Sequence, residues 1–213
     1  MSPLFFYSGV VAPSFELLPL GMGVFRYKKM RPPHRFLFYY LIFAGVSEIV
    51  GIYTAEHRIN NLWLLHIYTA VETVMLLWFY RLILQSRIIR RVIPFLMVFF
   101  PLLCLANGLW WQSMWKFNTY TRPLEALLLI FMGLAYFLEN SHEPDQQEGA
   151  RVPTTWMNVG LLMYFSLSFF IFIFSNYLKQ GQAFNTVIVV LHATFALIMY
   201  ILFTVGFYKC KRS

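Results

Sequence analysis

The sequence predicts an all-α, polytopic integral membrane protein: one seven-transmembrane-helix bundle over residues 1–213, N-terminus outside and C-terminus cytoplasmic. Three observations predict it. Of 213 residues, 59% are apolar and only 12% charged, about half the ~25% charged content of an ordinary soluble domain. Seven stretches approach or exceed the about 20 mainly apolar residues that a helix needs to cross ~30 Å of hydrocarbon. Finally, Lys and Arg are unequally divided between alternate connections, the pattern that sets orientation in a bilayer.

The spans fall at 3–25, 36–55, 61–84, 92–111, 119–138, 156–178 and 184–208. In the first, Pro13 and Pro19 bracket Glu16; each proline removes a backbone donor, so this helix is expected to be broken. With no basic residues leading it, the stretch does not read as a cleaved signal peptide. The second span carries Glu48, and the third carries Asn61, His66, Tyr68 and Glu72. The fourth contains Cys104 and Asn107 and runs into Gly108-Leu109-Trp110-Trp111-Gln112-Ser113-Met114-Trp115, whose tryptophans suit a lipid–water interface. Glu125 lies in the fifth span, and the hydrophilic segment 140–155 after it reads as a mobile cytoplasmic loop. The Phe-rich run of the sixth (Phe169-Phe170-Ile171-Phe172-Ile173-Phe174) reads as lipid contact and packing, and the seventh carries His192.

Orientation follows from the basic residues. Arg26, Lys28, Lys29, Arg31, Arg35, Arg81, Arg87, Arg90, Arg91, Arg151, Lys209, Lys211 and Arg212 fall on one side, and Arg58, Lys116, Arg122 and Lys179 on the other. Thirteen against four places the richer side in the cytoplasm. The partners expected are the lipid bilayer of a cell membrane (the inner membrane in a bacterium) and a cytoplasmic signalling protein at the basic inner rim. Nucleic acid is excluded, because the cations are divided among loops and form no continuous stripe. Cys104 and Cys210 are placed too far apart for a disulfide.

Ionisable groups inside a span are costly and are functional candidates by default. At 1.5 Å per residue from the outer span ends, Glu125 lies roughly 6–10 Å deep, His66 about 8 Å, Glu48 and His192 about 12 Å, and Glu16 and Glu72 about 16–20 Å. Asn107 adds an amide in the outer third, and the inner halves show no comparable set. Helical steps put Asn61, Tyr68 and Glu72 on one face, whereas His66 points away from it. Glu48 and Glu72 fall at one level, so one of them is expected to hold a proton. The expectation is a polar, ligand-binding pocket in the outer half built from Glu48, His66, Tyr68, Glu72, Asn107, Glu125 and His192.

Seven helices with an outer N-terminus resemble, in architecture only, the microbial rhodopsins and the G-protein-coupled receptors. The last span has no Lys to form a retinal Schiff base, so no covalent retinal is expected, and Asp-Arg-Tyr is absent from the third span, where the nearest run is Trp78-Phe79-Tyr80-Arg81. Also missing are the Pro-Gln dipeptide of seven-helix sugar transporters and the His-x-x-x-His pair of seven-helix zinc amidases. The function expected is therefore sensory or receptor-like: a small ligand or a proton binds in the outer pocket and a cytoplasmic partner reads the change. Two alternatives stand beside it. One is a membrane-embedded enzyme with Zn²⁺ held by His66, His192 and Glu72, which are acceptable ligand types without a diagnostic spacing. The other is a carrier for a small solute.

Overall fold

The structure, a computed structural model, describes residues 3–141, 148–174 and 182–211. Seven helices are long and apolar enough to cross a membrane. They are α1 (Tyr7–Lys29), α2 (Pro32–Glu56), α3 (Leu62–Ile83), α4 (Arg87–Trp111), α5 (Thr121–Asn140), α6 (Glu148–Phe174) and α7 (Gln182–Tyr208). Each matches one sequence-derived span within a few residues, apart from the early start of α6. Within the segment 140–155, expected to be a loop, residues 148–155 are helical, because α6 already begins at Glu148; residues 142–147 lie outside the described residues. Hydrophilic composition does not oppose a helix, and Glu148, Ala150 and Arg151 are all good helix formers.

Helix α1 is broken, as its prolines require. A π-helical turn covers Tyr7–Val11, a single α-turn Ala12–Ser14, and regular helix resumes at Leu17. Pro19 has no N–H to offer Phe15, and the Phe15 carbonyl accepts instead from Leu18 at 3.1 Å. Glu16 sits at this break and is buried.

Helix α2 ends with Arg58 in the left-handed region (φ 56°) and the Ile59 N–H on the Thr54 carbonyl at 2.9 Å, a Schellman-type stop. The turn from α3 to α4 is capped from a distance. Glu139 near the end of α5 accepts the N–H groups of Gln85 (2.6 Å) and Ser86 (3.1 Å), and the Ser86 hydroxyl caps α4.

The main packing contacts run α1–α2–α3–α5–α6–α7 and return from α7 to α1, closing a ring, while α4 packs chiefly on α3. We call upper the end with the turns at 57–61 and 112–120, and lower the end with Met30, Leu84 and Cys210. The dry core fills the lower half: Leu37, Leu41, Leu76, Leu77, Leu129, Leu161, Phe165 and Phe203 are all fully or almost fully buried. Large apolar side chains such as Phe25, Ile49, Phe95 and Leu138 remain exposed around the outside, as a lipid-facing surface demands. Cys104 and Cys210 are both free thiols. Cys210, just past α7, is buried with its Sγ 3.5 Å from His34 Nδ1, and burial pushes its thiol up to about 11.

Candidate functional site

The segment 112–120 positions the site by folding into the upper end of the bundle. The His66 ring bonds the Lys116 carbonyl (3.0 Å), and Asn118 donates to Thr69 (3.4 Å) while its own carbonyl caps Thr121 (N–H 3.1 Å, hydroxyl 2.7 Å). Asn107 donates to Gln112 (3.4 Å), which donates to Thr119 (2.7 Å). Helix α5 therefore starts well below the upper surface, with Thr121 beside α3. Its first turn, Thr121-Arg122-Pro123-Leu124-Glu125, brings a guanidinium and a carboxylate to the level of Glu72.

There Arg122 Nη1 bridges Glu72 Oε2 and Glu125 Oε2, the latter at 2.8 Å. Glu72 and Glu125 are 0% exposed and Arg122 5%. Further partners surround the triad. Glu72 Oε1 accepts from Tyr40 (2.7 Å) and Tyr68 (3.0 Å), and Glu125 Oε1 accepts from Thr73 (2.7 Å). Arg122 lies over the rings of Tyr68 (5.3 Å) and Phe172 (4.8 Å), and its Nη2 reaches the Tyr164 hydroxyl at 3.5 Å. Such density is needed, because charges taken out of water are held only when attraction and hydrogen bonds offset several kcal/mol of desolvation per ion. One guanidinium facing two carboxylates still leaves one negative charge over, unless one carboxyl carries a proton.

The triad floors a partly open cavity of about 430 Å³ inside the ring. Arg122, Tyr68, Tyr164 and His192 supply its polar floor, and Ser8, Ser47, Glu48, Asn61 and Tyr200 add polar groups on the walls. The remaining walls are apolar, from Ala12 and Pro13 of α1, Ala44 of α2, Leu62, Leu64 and Leu65 of α3, and Val189, Ala193 and Ala196 of α7. His192 bonds Ser168 (3.1 Å) and Tyr164 (3.4 Å) through its two ring nitrogens. Glu48 meets a second carboxyl, that of Glu16 at the break in α1, and the two can bond each other only through a proton on one of them. Gly45 makes room for the pair: a Cβ there would lie 3.3 Å from Glu16 Oε2.

The residues singled out in the sequence thus divide into three groups. Glu48, Tyr68 and His192 line the cavity, and Glu72 and Glu125 lie in the triad beneath it. His66 and Asn107 do neither, and they pin the infolded segment. The carboxyl facing Glu48 is Glu16, not Glu72, because α1 lies against α2 on that side while Glu72 turns toward Tyr40, Tyr68 and Arg122. His66, His192 and Glu72 each engage separate partners, and among the described residues no group of three His, Cys, Asp or Glu side chains is brought together to hold a metal.

Sequence reasoning missed Arg122, which it counted only among the cations of the outer side although it falls within the fifth span. The available signal was the spacing Arg122-x-x-Glu125, which puts both charges on one face at the start of an apolar helix. The lower half, where no comparable set of ionisable groups was expected, holds hydrogen-bonded polar pairs: Tyr80 donates to Asn158 (3.0 Å), Asn158 to the Gly133 carbonyl (3.1 Å), and His34 pairs with Thr154 (2.9 Å). Compared with family models, curated proteins and solved structures, the chain matches none.

Proposed function

We propose that this chain is a receptor-like membrane protein that binds a small ligand in the upper cavity, with the upper end outside the cell and a cytoplasmic partner reading the basic lower rim. The observation that carries this is the cavity itself. A space of about 430 Å³ with apolar walls and a few convergent polar groups has the size and character of a small-molecule site. The dry core of Leu76, Leu77, Leu129, Leu161 and Phe203 beneath it favours a pocket closed at its base over a path through the membrane. The cavity lies among six of the seven helices, and Arg122 ties α5 to α3 within it, so a ligand on this floor can shift helices that continue to the lower rim.

The test is a thermal-unfolding screen of the detergent-purified full chain against a small-molecule library, repeated on Ala193→Trp, which fills the cavity from α7. A ligand present at 100 times its Kd should stabilise the wild type by about 2.7 kcal/mol. Ala193→Trp should lose that shift. Hits that stabilise both proteins equally would place binding elsewhere and overturn the reading.

A further inference from the structure

Glu48 and Arg122 line the cavity, and three further carboxyls, Glu16, Glu72 and Glu125, are packed behind them, which bears on what it binds. Arg122 is the cation on its floor, and it is already engaged by Glu72 and Glu125. Higher on the wall, Glu48 faces Glu16, which is 4% exposed and whose Oε1 has no hydrogen-bond partner. Four carboxyls therefore surround one guanidinium, and even with one proton shared by Glu16 and Glu48 an anionic ligand would deepen the deficit of positive charge.

We propose that the cavity binds an organic cation, an ammonium on an apolar body, whose charge replaces the proton shared by Glu16 and Glu48. This rests on the receptor reading of the same cavity and names its ligand class. The titratable groups that line the cavity with Glu48 are Tyr68 of α3, Arg122 of α5, Tyr164 of α6, and His192 and Tyr200 of α7, of which Tyr200 lies near both carboxyls of the pair. Of these only Arg122 carries a permanent charge, and it is committed to the triad. An ammonium between the two carboxylates would satisfy the orphaned oxygen of Glu16, and the phenol rings offer faces suited to a cation. The exchange balances: one positive charge enters, one proton leaves the carboxyl pair for water, and the net charge of the pocket is unchanged. Such exchange costs less in a low dielectric than adding a charge outright. The apolar body would lie along the alanine and leucine walls. An inorganic cation would leave most of the volume and those walls unused.

The experiment is isothermal titration calorimetry of the full chain in detergent, using 2-phenylethylammonium, neutral 2-phenylethanol and anionic phenylacetate. Buffers of different ionisation heat count the protons exchanged. The amine should bind best and release about one proton per molecule, and its affinity should rise about tenfold per unit between about pH 5.5 and 7.5. Glu48→Gln and Glu16→Gln should each abolish the proton release and weaken the amine by about tenfold or more. The proton count is made on the wild type, so it stands even if a variant fails to fold. Tighter binding of the alcohol or of phenylacetate would overturn the proposal, as would amine binding without proton release, or no amine binding where the library screen yields other ligands. These outcomes leave the receptor reading intact, which fails only if Ala193→Trp leaves ligand binding unchanged.

Discussion

Arg122 decides the energetics of the site, since its single guanidinium faces two buried carboxylates. Removing it by Arg122→Leu strands Glu72 and Glu125 without a counter-charge, and breaking a buried pair in this way costs about 3–5 kcal/mol. Arg122→Lys keeps the charge as a point ammonium that cannot serve both carboxylates and Tyr164 from one plane, for an intermediate loss of about 1–3 kcal/mol. Glu125→Gln behaves differently. It removes the surplus negative charge, and its amide oxygen can still accept from Thr73, so the change should be about 1 kcal/mol or less. Thermal unfolding of the purified variants checks the order, and a Glu125→Gln protein less stable than Arg122→Leu would overturn the charge balance. At this scale the sequence marked Glu48, Tyr68, Glu72, Glu125 and His192 because ionisable groups within spans are conspicuous. It did not mark Arg122, because depth was counted from the span ends, and only the infolding of 112–120, pinned by Asn118 on Thr69, puts the start of α5 at the level of Glu72.

Among the helices, α6 and α7 approach closely on their glycines. A Cβ at Gly206 would stand 2.8 Å from Met157 Cγ and 3.1 Å from the Pro153 carbonyl, and one at Gly160 would stand 3.2 Å from the Phe203 ring. Backbone cannot yield as a side chain can, so Gly206→Ala should destabilise by about 1–3 kcal/mol. Gly21 in α1 has nothing within 4 Å of such a Cβ, and Gly21→Ala should stabilise by about 0.5–1 kcal/mol through helix propensity alone. Thermal unfolding in one detergent measures both, and the two shifts should have opposite signs. The spans themselves were legible because a bilayer leaves a helix no alternative to internal hydrogen bonding, and the break in α1 was legible because proline has no donor to give. Helix neighbours were not legible. Composition shows that α1 and α2 each carry a buried acid, but not that α1 closes the ring between α2 and α7 and so sets Glu16 against Glu48.

Over the whole molecule, charge and packing are segregated along the bundle axis. The triad, the acid pair and the cavity occupy the upper half, and the dry core fills the lower half down to Cys210. The basic residues fall the other way: Arg26, Lys28, Lys29, Arg31, Arg87, Arg90 and Arg91 cluster at the lower end, whereas Arg58 and Lys116 stand at the upper end. Arg122, once counted with the upper cations, belongs to the core and leaves that count, so the asymmetry is sharper than the sequence tally. The orientation proposed above, with the lower end in the cytoplasm where Lys and Arg are retained, would put the open cavity on the outer face, within reach of an extracellular or periplasmic ligand. Fusions of a reporter active only in the cytoplasm, placed after Lys29, Arg90 and Ser213, should be active, and fusions near Arg58 and Lys116 should be silent. An active reporter at Lys116 with a silent one at Arg90 would invert the bundle. The cavity would then open toward the cytoplasm, and the ligand would have to be sought inside the cell.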